Sequence, residues 1–258
     1  MINSIPTATL LMKAGRHPLR AVRRLMETAR LSRLSNPRER EVAERFLSDV
    51  FHVDARAIVE ECRRSEVGAW MQRRHAELEE FPGYRLGSTP TFDLETIYSL
   101  VRALRPTVIV ETGVCYGASS AYILEALRDN GHGVLYSIDL GNTPDEPPND
   151  FFVRPALKDA WRLIIGDVRQ ELPRLLAQLG QIDLFHHDSL HTYEHMTWEY
   201  ETAFPYVAPN GALSSHDVRI ITSLSNPFQR NPFSAFCERH NLRSVEARNV
   251  GIATRGKN

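Results

Sequence analysis

The stretch Val108-Ile-Val-Glu-Thr-Gly-Val-Cys-Tyr-Gly-Ala-Ser-Ser120 leaves few folds open to this chain. A β-branched run closes on an acid, a turn bearing two glycines follows, and helix-forming residues begin at Ala118. That order spells a buried strand, a tight loop and a helix N-terminus, the unit from which open α/β sheets build nucleotide sites. Gly113 and Gly117 let the main chain approach a ligand closely, and Glu111 stands at the strand's carboxyl end. Val134-Leu-Tyr-Ser-Ile-Asp139 is a second strand ending in an acid, and a carboxylate there is placed to take both hydroxyls of a ribose. In this order the two motifs point to a cofactor that contains a nucleoside.

Strand and helix patterns alternate from about residue 91 to the end. Strands are expected over 107–111, 134–139, 161–166, 182–187, 211–216, about 243–247 and about 249–254. Helices are expected over 93–104, 118–129, 151–159, 168–179, 192–206 and 232–240. Such alternation makes a mainly parallel sheet covered on both faces. The last two strands are too close for a helical crossover and must pair antiparallel. The expected fold class is therefore α/β: a Rossmann-like, seven-stranded, mostly parallel sheet with a C-terminal antiparallel hairpin, plus an N-terminal helical segment. Within residues 14–80, Leu19, Val22, Leu25 and Met26, then Val42, Phe46 and Val50, fall at helical spacing. Residues 81–90 are turn-rich and form the joint. The expected division is thus 1–90, a helical cap or oligomerisation segment, and 91–258, the ligand-binding domain. Arg20, Arg23, Arg24, Arg30 and Arg33 make the first segment locally basic, which reads as a solvated helix face.

With 31 basic and 32 acidic side chains, the net charge of −1 gives no electrostatic case for nucleic acid. No apolar run approaches bilayer length. Thr7–Met12 is short for a secretory signal, and basic residues follow it rather than precede it. Cys62, Cys115 and Cys237 are odd in number and widely spaced, which indicates neither a disulfide framework nor a zinc knuckle. A cytoplasmic location is expected, with no nucleic-acid or membrane partner.

Seven strands closing on a hairpin, acids ending the first two, and the loop Glu-Thr-Gly-x-x-x-Gly-x-Ser resemble the class I S-adenosylmethionine-dependent methyltransferases over roughly Phe92–Arg255. The loop also resembles that of the small-molecule O-methyltransferases, catechol-type and sugar- or antibiotic-tailoring enzymes. So does the pairing of Phe185-His-His-Asp-Ser-Leu-His-Thr-Tyr-Glu194 with Pro209-Asn-Gly-Ala-Leu-Ser-Ser-His-Asp-Val218. The resemblance implies methyl transfer from S-adenosylmethionine to a hydroxyl of a natural product, sugar or phenol. It implies cofactor contacts from Glu111, Thr112, Gly113, Cys115, Tyr116, Gly117, Ser119, Asp139, Leu140, Gly166, Asp167 and Asp188. Among these, Asp139 matches the ribose-binding acid and Asp167 the position beside the adenine. Cys115 stands where the common Gly-x-Gly-x-Gly loop has its middle glycine. Asp188, His216 and Asp217 fall where the metal-dependent branch keeps the ligands of a divalent metal, His216 replacing an acid or amide. His191, three residues after Asp188, falls where that branch places its catalytic base, often a lysine; Asp188 is read as catalytic with it. The N-terminal helices are expected to build a dimer.

Other readings of the same residues stay open. His191 is equally placed to cap a helix beginning near Thr192, and Asp188 to serve as an N-cap or ion-pair partner. His187, His191 and His195 are spaced like a helical zinc face. Yet His187 belongs to a strand and His-Glu-x-x-His is absent, which speaks against a zinc hydrolase. Transfer to nitrogen, or a non-methylating protein that retains the cofactor as a binding module or cyclase, would use the same scaffold. Gly141–Asp150 cannot be regular structure and is either a solvent loop or a lid. Asn226–Phe233 is positioned to supply acceptor contacts.

Overall fold

Val108, Ile109 and Val110 are stiff at χ1 and pack well on a pleated surface, and they anchor the centre of the sheet. The computed structural model describes residues 37–84, 89–219 and 231–255. Arg20–Arg33 and most of the Asn226–Phe233 segment lie outside them. The strands are β1 (Val108–Thr112), β2 (Val134–Asp139), β3 (Trp161–Ile165), β4 (Ile182–His187), β5 (Val207–Ser215), β6 (Arg243–Ala247) and β7 (Val250–Thr254). They run in the order β3-β2-β1-β4-β5-β7-β6. The first five are parallel, and β7 lies antiparallel between β5 and β6. Strand order turns round between β1 and β4, so their carboxyl ends open the crevice where ligands bind in such sheets.

The helices are α1 (Pro37–Phe51), α2 (Ala55–Arg64), α3 (Glu66–Glu77), α4 (Thr91–Leu104), α5 (Ala118–Asn130), α6 (Val168–Leu179), α7 (Tyr193–Ala203) and α8 (Pro232–Arg239). Neighbouring strand residues point to opposite faces, which divides the core in two. Ile109, Leu135, Leu184, Ala212 and Ile252 pack with α1–α5, whereas Val110, Ile138, Phe185, Leu213 and Ala253 pack with α6–α8. Leu47, Cys62, Val67 and Met71, all before residue 91, belong to the first of these cores. Arg38–Asn258 form one compact unit, so residue 90 does not separate two cores. Among the described residues no helix is long and apolar enough to cross a membrane.

The expected helix over 151–159 is instead a turn followed by a 3₁₀ helix, Pro155–Ala160. Phe151 N and Val153 N close turns onto Pro148 O and Asp150 O while Phe152 N donates to Tyr116 O, so the main chain is tied across to the loop after β1 and not into a helix. β5 begins four residues early and runs through Pro209-Asn-Gly211, at the expense of a shift in its register with β4.

Because α1 shares a core with the sheet, Leu47→Ala should destabilise the whole unit by about 2–5 kcal/mol in a single cooperative denaturant transition. A separate early transition would show that the N-terminal helices melt on their own.

Candidate active site

The loop after β1 is shaped by close contacts within the chain. Gly113 has φ +80°, and a Cβ there would lie 2.2 Å from the Asp188 carbonyl oxygen. A Cβ on Gly117, at φ +82°, would lie 2.6 Å from Asn149 O. Both glycines therefore make room for neighbouring main chain. Asp188 N donates to Thr112 O (2.8 Å), which seats the end of β4 against the loop. Cys115, the middle residue, is exposed and has φ 52°. A left-handed conformation at a residue with a side chain costs about 1 kcal/mol or more, which is why glycine suits this place.

Four of the expected cofactor residues turn inward. Glu111 is fully buried and accepts hydrogen bonds from Ser119 (2.7 Å), Ser120 (2.6 Å) and Ser137 (2.7 Å). Burial pushes its carboxyl up to about 7 against the pull of the three hydroxyls. It ties β1, β2 and the start of α5 together and presents no face to a ligand. Ser119 is spent on Glu111, and the buried Thr112 hydroxyl donates to Glu199. Tyr116 is buried with its ring 5.8 Å from that of Tyr84. These side chains support the turn instead of lining it.

Asp139 sits at the mouth. Its Oδ2 accepts from Val114 N (2.7 Å) and Cys115 N (3.1 Å), its Oδ1 from Gly141 N (2.7 Å) and Asn149 Nδ2 (3.0 Å). All four acceptor positions of the carboxylate are filled. Beside it, Leu140 is 78% exposed and Ile165 57% exposed, at the ends of adjacent strands. Gly166 N donates to Asp139 O (2.8 Å), and Asp167 caps α6 by accepting from Arg169 N (2.8 Å).

Across the switch point, acids and imidazoles gather at the ends of β4 and β5. His216 lies between two carboxylates: its Nδ1 is 3.1 Å from Asp188 Oδ1, and its Nε2 is 3.2 Å from Asp93 Oδ2 on α4. Burial opposes the charge on His216, but Asp188 and Asp93 outweigh it and hold the imidazole well above its ordinary pKa. Both ring nitrogens of His216 are thus within hydrogen-bond distance of carboxylates. His191 Nδ1 lies 3.2 Å from Asp217 Oδ2 and its Nε2 3.4 Å from Asp188 Oδ1. Burial lowers the His191 pKa, yet the hydrogen bond and charge of Asp188, then Asp217, leave it raised above 6.5. Asp188 is driven the other way, well below the usual carboxylate range: His216 and His191 overcome the burial that disfavours its charge. The cap of α7 is Thr192, which accepts from His195 N (3.3 Å), so the capping alternative for His191 falls away. Among the described residues no three such side chains surround a common point as a ready cation cage.

Beneath this cluster, fully buried Glu199 accepts from His187 Nδ1 (2.6 Å), Ser189 Oγ (2.6 Å), His195 Nε2 (2.8 Å) and Thr112 Oγ1. Burial disfavours its charge, but His187 and the other donors hold the carboxyl well below its ordinary range. Sequence reasoning missed Asp93, Ile165, Glu199 and Asn149. Asp93 and Glu199 sit on helices far from the motifs, and an acid at a first helical turn or on an apolar face gives no local sign of its partner. An isolated Ile165 at a strand end was legible only as core.

Residues 110–218 match the family model described as a methyltransferase domain. No curated protein matches the chain. Among solved structures, a caffeoyl-CoA O-methyltransferase described as putative, from Staphylococcus aureus, is 16% identical with a TM-score of 0.54, covering 75% of this chain and 94% of that one. The O-methyltransferase TomG from Streptomyces achromogenes, solved with S-adenosylmethionine, is 15% identical with a TM-score of 0.53, covering 74% and 89%. MycE of the mycinamycin biosynthetic pathway, solved with Mg, S-adenosylhomocysteine and mycinamycin VI, is 16% identical with a TM-score of 0.50. It covers 76% of this chain and 56% of that one. The sheet and the family model bear out the resemblance read from the loops.

Glu111 gives a test of the inner scaffold. An acid with a folded pKa of about 7 against 4.5 when free contributes stability below pH 4.5 that is lost as pH rises to 7. Between those values wild type should lose about 3 kcal/mol more than Glu111→Gln in denaturant unfolding. Parallel pH profiles would place the buried charge elsewhere.

Proposed function

Because residues 110–218 match a methyltransferase-domain model and the sheet is that of solved methyltransferases, we propose that the protein transfers a methyl group from S-adenosylmethionine to a hydroxyl of a small molecule, with His191 as general base. The observation that carries the reading is one partly exposed imidazole set between Asp188 and Asp217, beside the switch-point loop. When bound, the cofactor supplies an electrophilic methyl on a sulfonium. Exposed Leu140 and Ile165 fit the flanks of a purine, with Asp167 at its edge. Asp139 is the ribose acid, exchanging a present partner such as Gly141 N for the diol.

The remaining work is orientation and proton transfer. Neutral His191 takes the acceptor's proton at Nε2, which has no well-aligned hydrogen-bond partner among the described residues, and the imidazolium that forms is stabilised by Asp217 at Nδ1 and by nearby Asp188. His216, clamped from Asp93 to Asp188, fixes Asp188 in place for this. Since the His191 pKa lies above 6.5 and the neutral form acts, turnover should rise as pH increases through that raised value. His191→Ala should cut kcat by about 10²–10⁴, leave S-adenosylhomocysteine affinity nearly intact, and abolish the rising limb. A folded variant with near-normal turnover would remove His191 from the chemistry. Asp139→Ala should weaken cofactor binding by about 10–100-fold in calorimetry. Unchanged affinity there would take Asp139 out of the site.

Divalent-ion assistance is the second reading, favoured by Asp188 and Asp217, which lie on the same side of His216, 3.1 Å and 3.4 Å from its Nδ1. Those acids would hold the ion, and it would acidify the acceptor hydroxyl. MycE, whose structure holds Mg, supports it by analogy of fold. On this reading chelation should abolish turnover and Mg²⁺ or Mn²⁺ should restore it; full activity after exhaustive chelation leaves His191 unaided. The N-terminal helices are assigned a dimer-forming or capping role, and three free cysteines support a cytoplasmic location.

A further inference from the structure

The connection after β2 holds the cofactor-side turn in a shape its own sequence resists. Cys115 adopts φ 52°, where a side chain is disfavoured. Its carbonyl oxygen accepts two side-chain amides, from Asn142 Nδ2 at 2.7 Å and Asn149 Nδ2 at 3.0 Å. Asn142 Nδ2 also reaches Pro147 O (2.8 Å), and Asn149 Nδ2 reaches Asp139 Oδ1 (3.0 Å). Each amide thus has both hydrogens engaged, so its orientation is fixed. The connection is itself secured from behind. Phe152 N donates to Tyr116 O (3.0 Å), Trp70 Nε1 to Phe152 O (2.7 Å) and Arg74 Nε to Phe151 O (3.0 Å). The Arg74 guanidinium also lies 3.9 Å from the centre of the Phe151 ring.

We propose that Asn142 and Asn149 are positioning residues of the cofactor site, which hold Cys115 by its carbonyl in the left-handed turn that glycine would adopt unaided. The inference rests on the reading that this turn faces S-adenosylmethionine. A peptide plane bound at its oxygen by two donors cannot rotate without breaking both bonds. Released, residue 115 relaxes towards negative φ, and the amides of Val114 and Cys115 leave Asp139. A glycine at this position has no such tendency, so the asparagines then have little to hold. The clamp and the side chain at 115 are therefore energetically coupled.

The test is a double-mutant cycle on the full chain, reading S-adenosylhomocysteine affinity by calorimetry. Asn142 is the residue to alter, because it does not touch Asp139. Asn142→Ala should weaken binding by about tenfold beside Cys115, and by about twofold or less in the Cys115→Gly background. Asn142→Asp, of the same shape but without a donor, should repeat the pattern and covers the case of an alanine variant that fails to fold. Equal losses in both backgrounds, as ordinary loop support would give, overturn the proposal, as does no loss in either. Failure of the unaltered protein to bind the probe would instead overturn the reading of the site as a cofactor site.

Discussion

The contact on which the rest of the site depends is the meeting of Gly113 with the main chain of Asp188. Parallel strands β1 and β4 bring their carboxyl ends side by side, and only a residue without a Cβ lets the two loops pass. The Asp188 amide then closes on Thr112 O, which fixes where β4 ends and where its acid points. The cofactor-side turn and the acid–imidazole cluster are thereby two sides of one joint. A shift in either is felt in the other through main chain, not through flexible side chains.

Two buried carboxylates brace this joint, their pKa values moved in opposite directions. Glu199 has imidazole partners that hold its carboxyl below the ordinary range, whereas Glu111 has only hydroxyls and burial pushes it up to about 7. The difference follows from the partners alone, since both acids are without solvent. The Glu199 hub ties the histidines of β4 and α7 together, and the Glu111 hub ties β1, β2 and α5. His187 joins the Glu199 hub by one nitrogen and leaves its Nε2 buried without a hydrogen-bond partner.

Most of the sheet was legible because strands buried on both faces read as unbroken apolar runs ending in turn residues. Val134–Asp139 and Ile182–His187 have the same limits in sequence and structure. The helix expected after Gly141–Asp150 failed because Phe151-Phe152-Val153 is apolar without any period. The connection that sequence left as a solvent loop or a lid is bonded at its base to α3. Within the site, strand-end residues such as Asp139 and Asp188 could be placed because topology puts them at one edge. Orientation could not be read. Whether Glu111 points to a ligand or into the sheet depends on Ser137, which is 26 positions away and pairs with it only after folding.

Trp70 and Arg74 grasp the connection after β2 by main-chain oxygens, those of Phe152 and Phe151. A bond to a carbonyl is blind to the side chain that the residue carries. The exposed tip at Thr143, Pro144 and Asp145 has its own ties, Thr143 to Glu146 and the Asp145 carbonyl to Gly83 N, apart from the anchor that fixes its base. Sequence drift there can reshape what meets an incoming molecule without disturbing the fastening. The fold thus separates a fixed grip from a variable fringe, which is the arrangement a lineage needs to change substrates without rebuilding its cofactor turn.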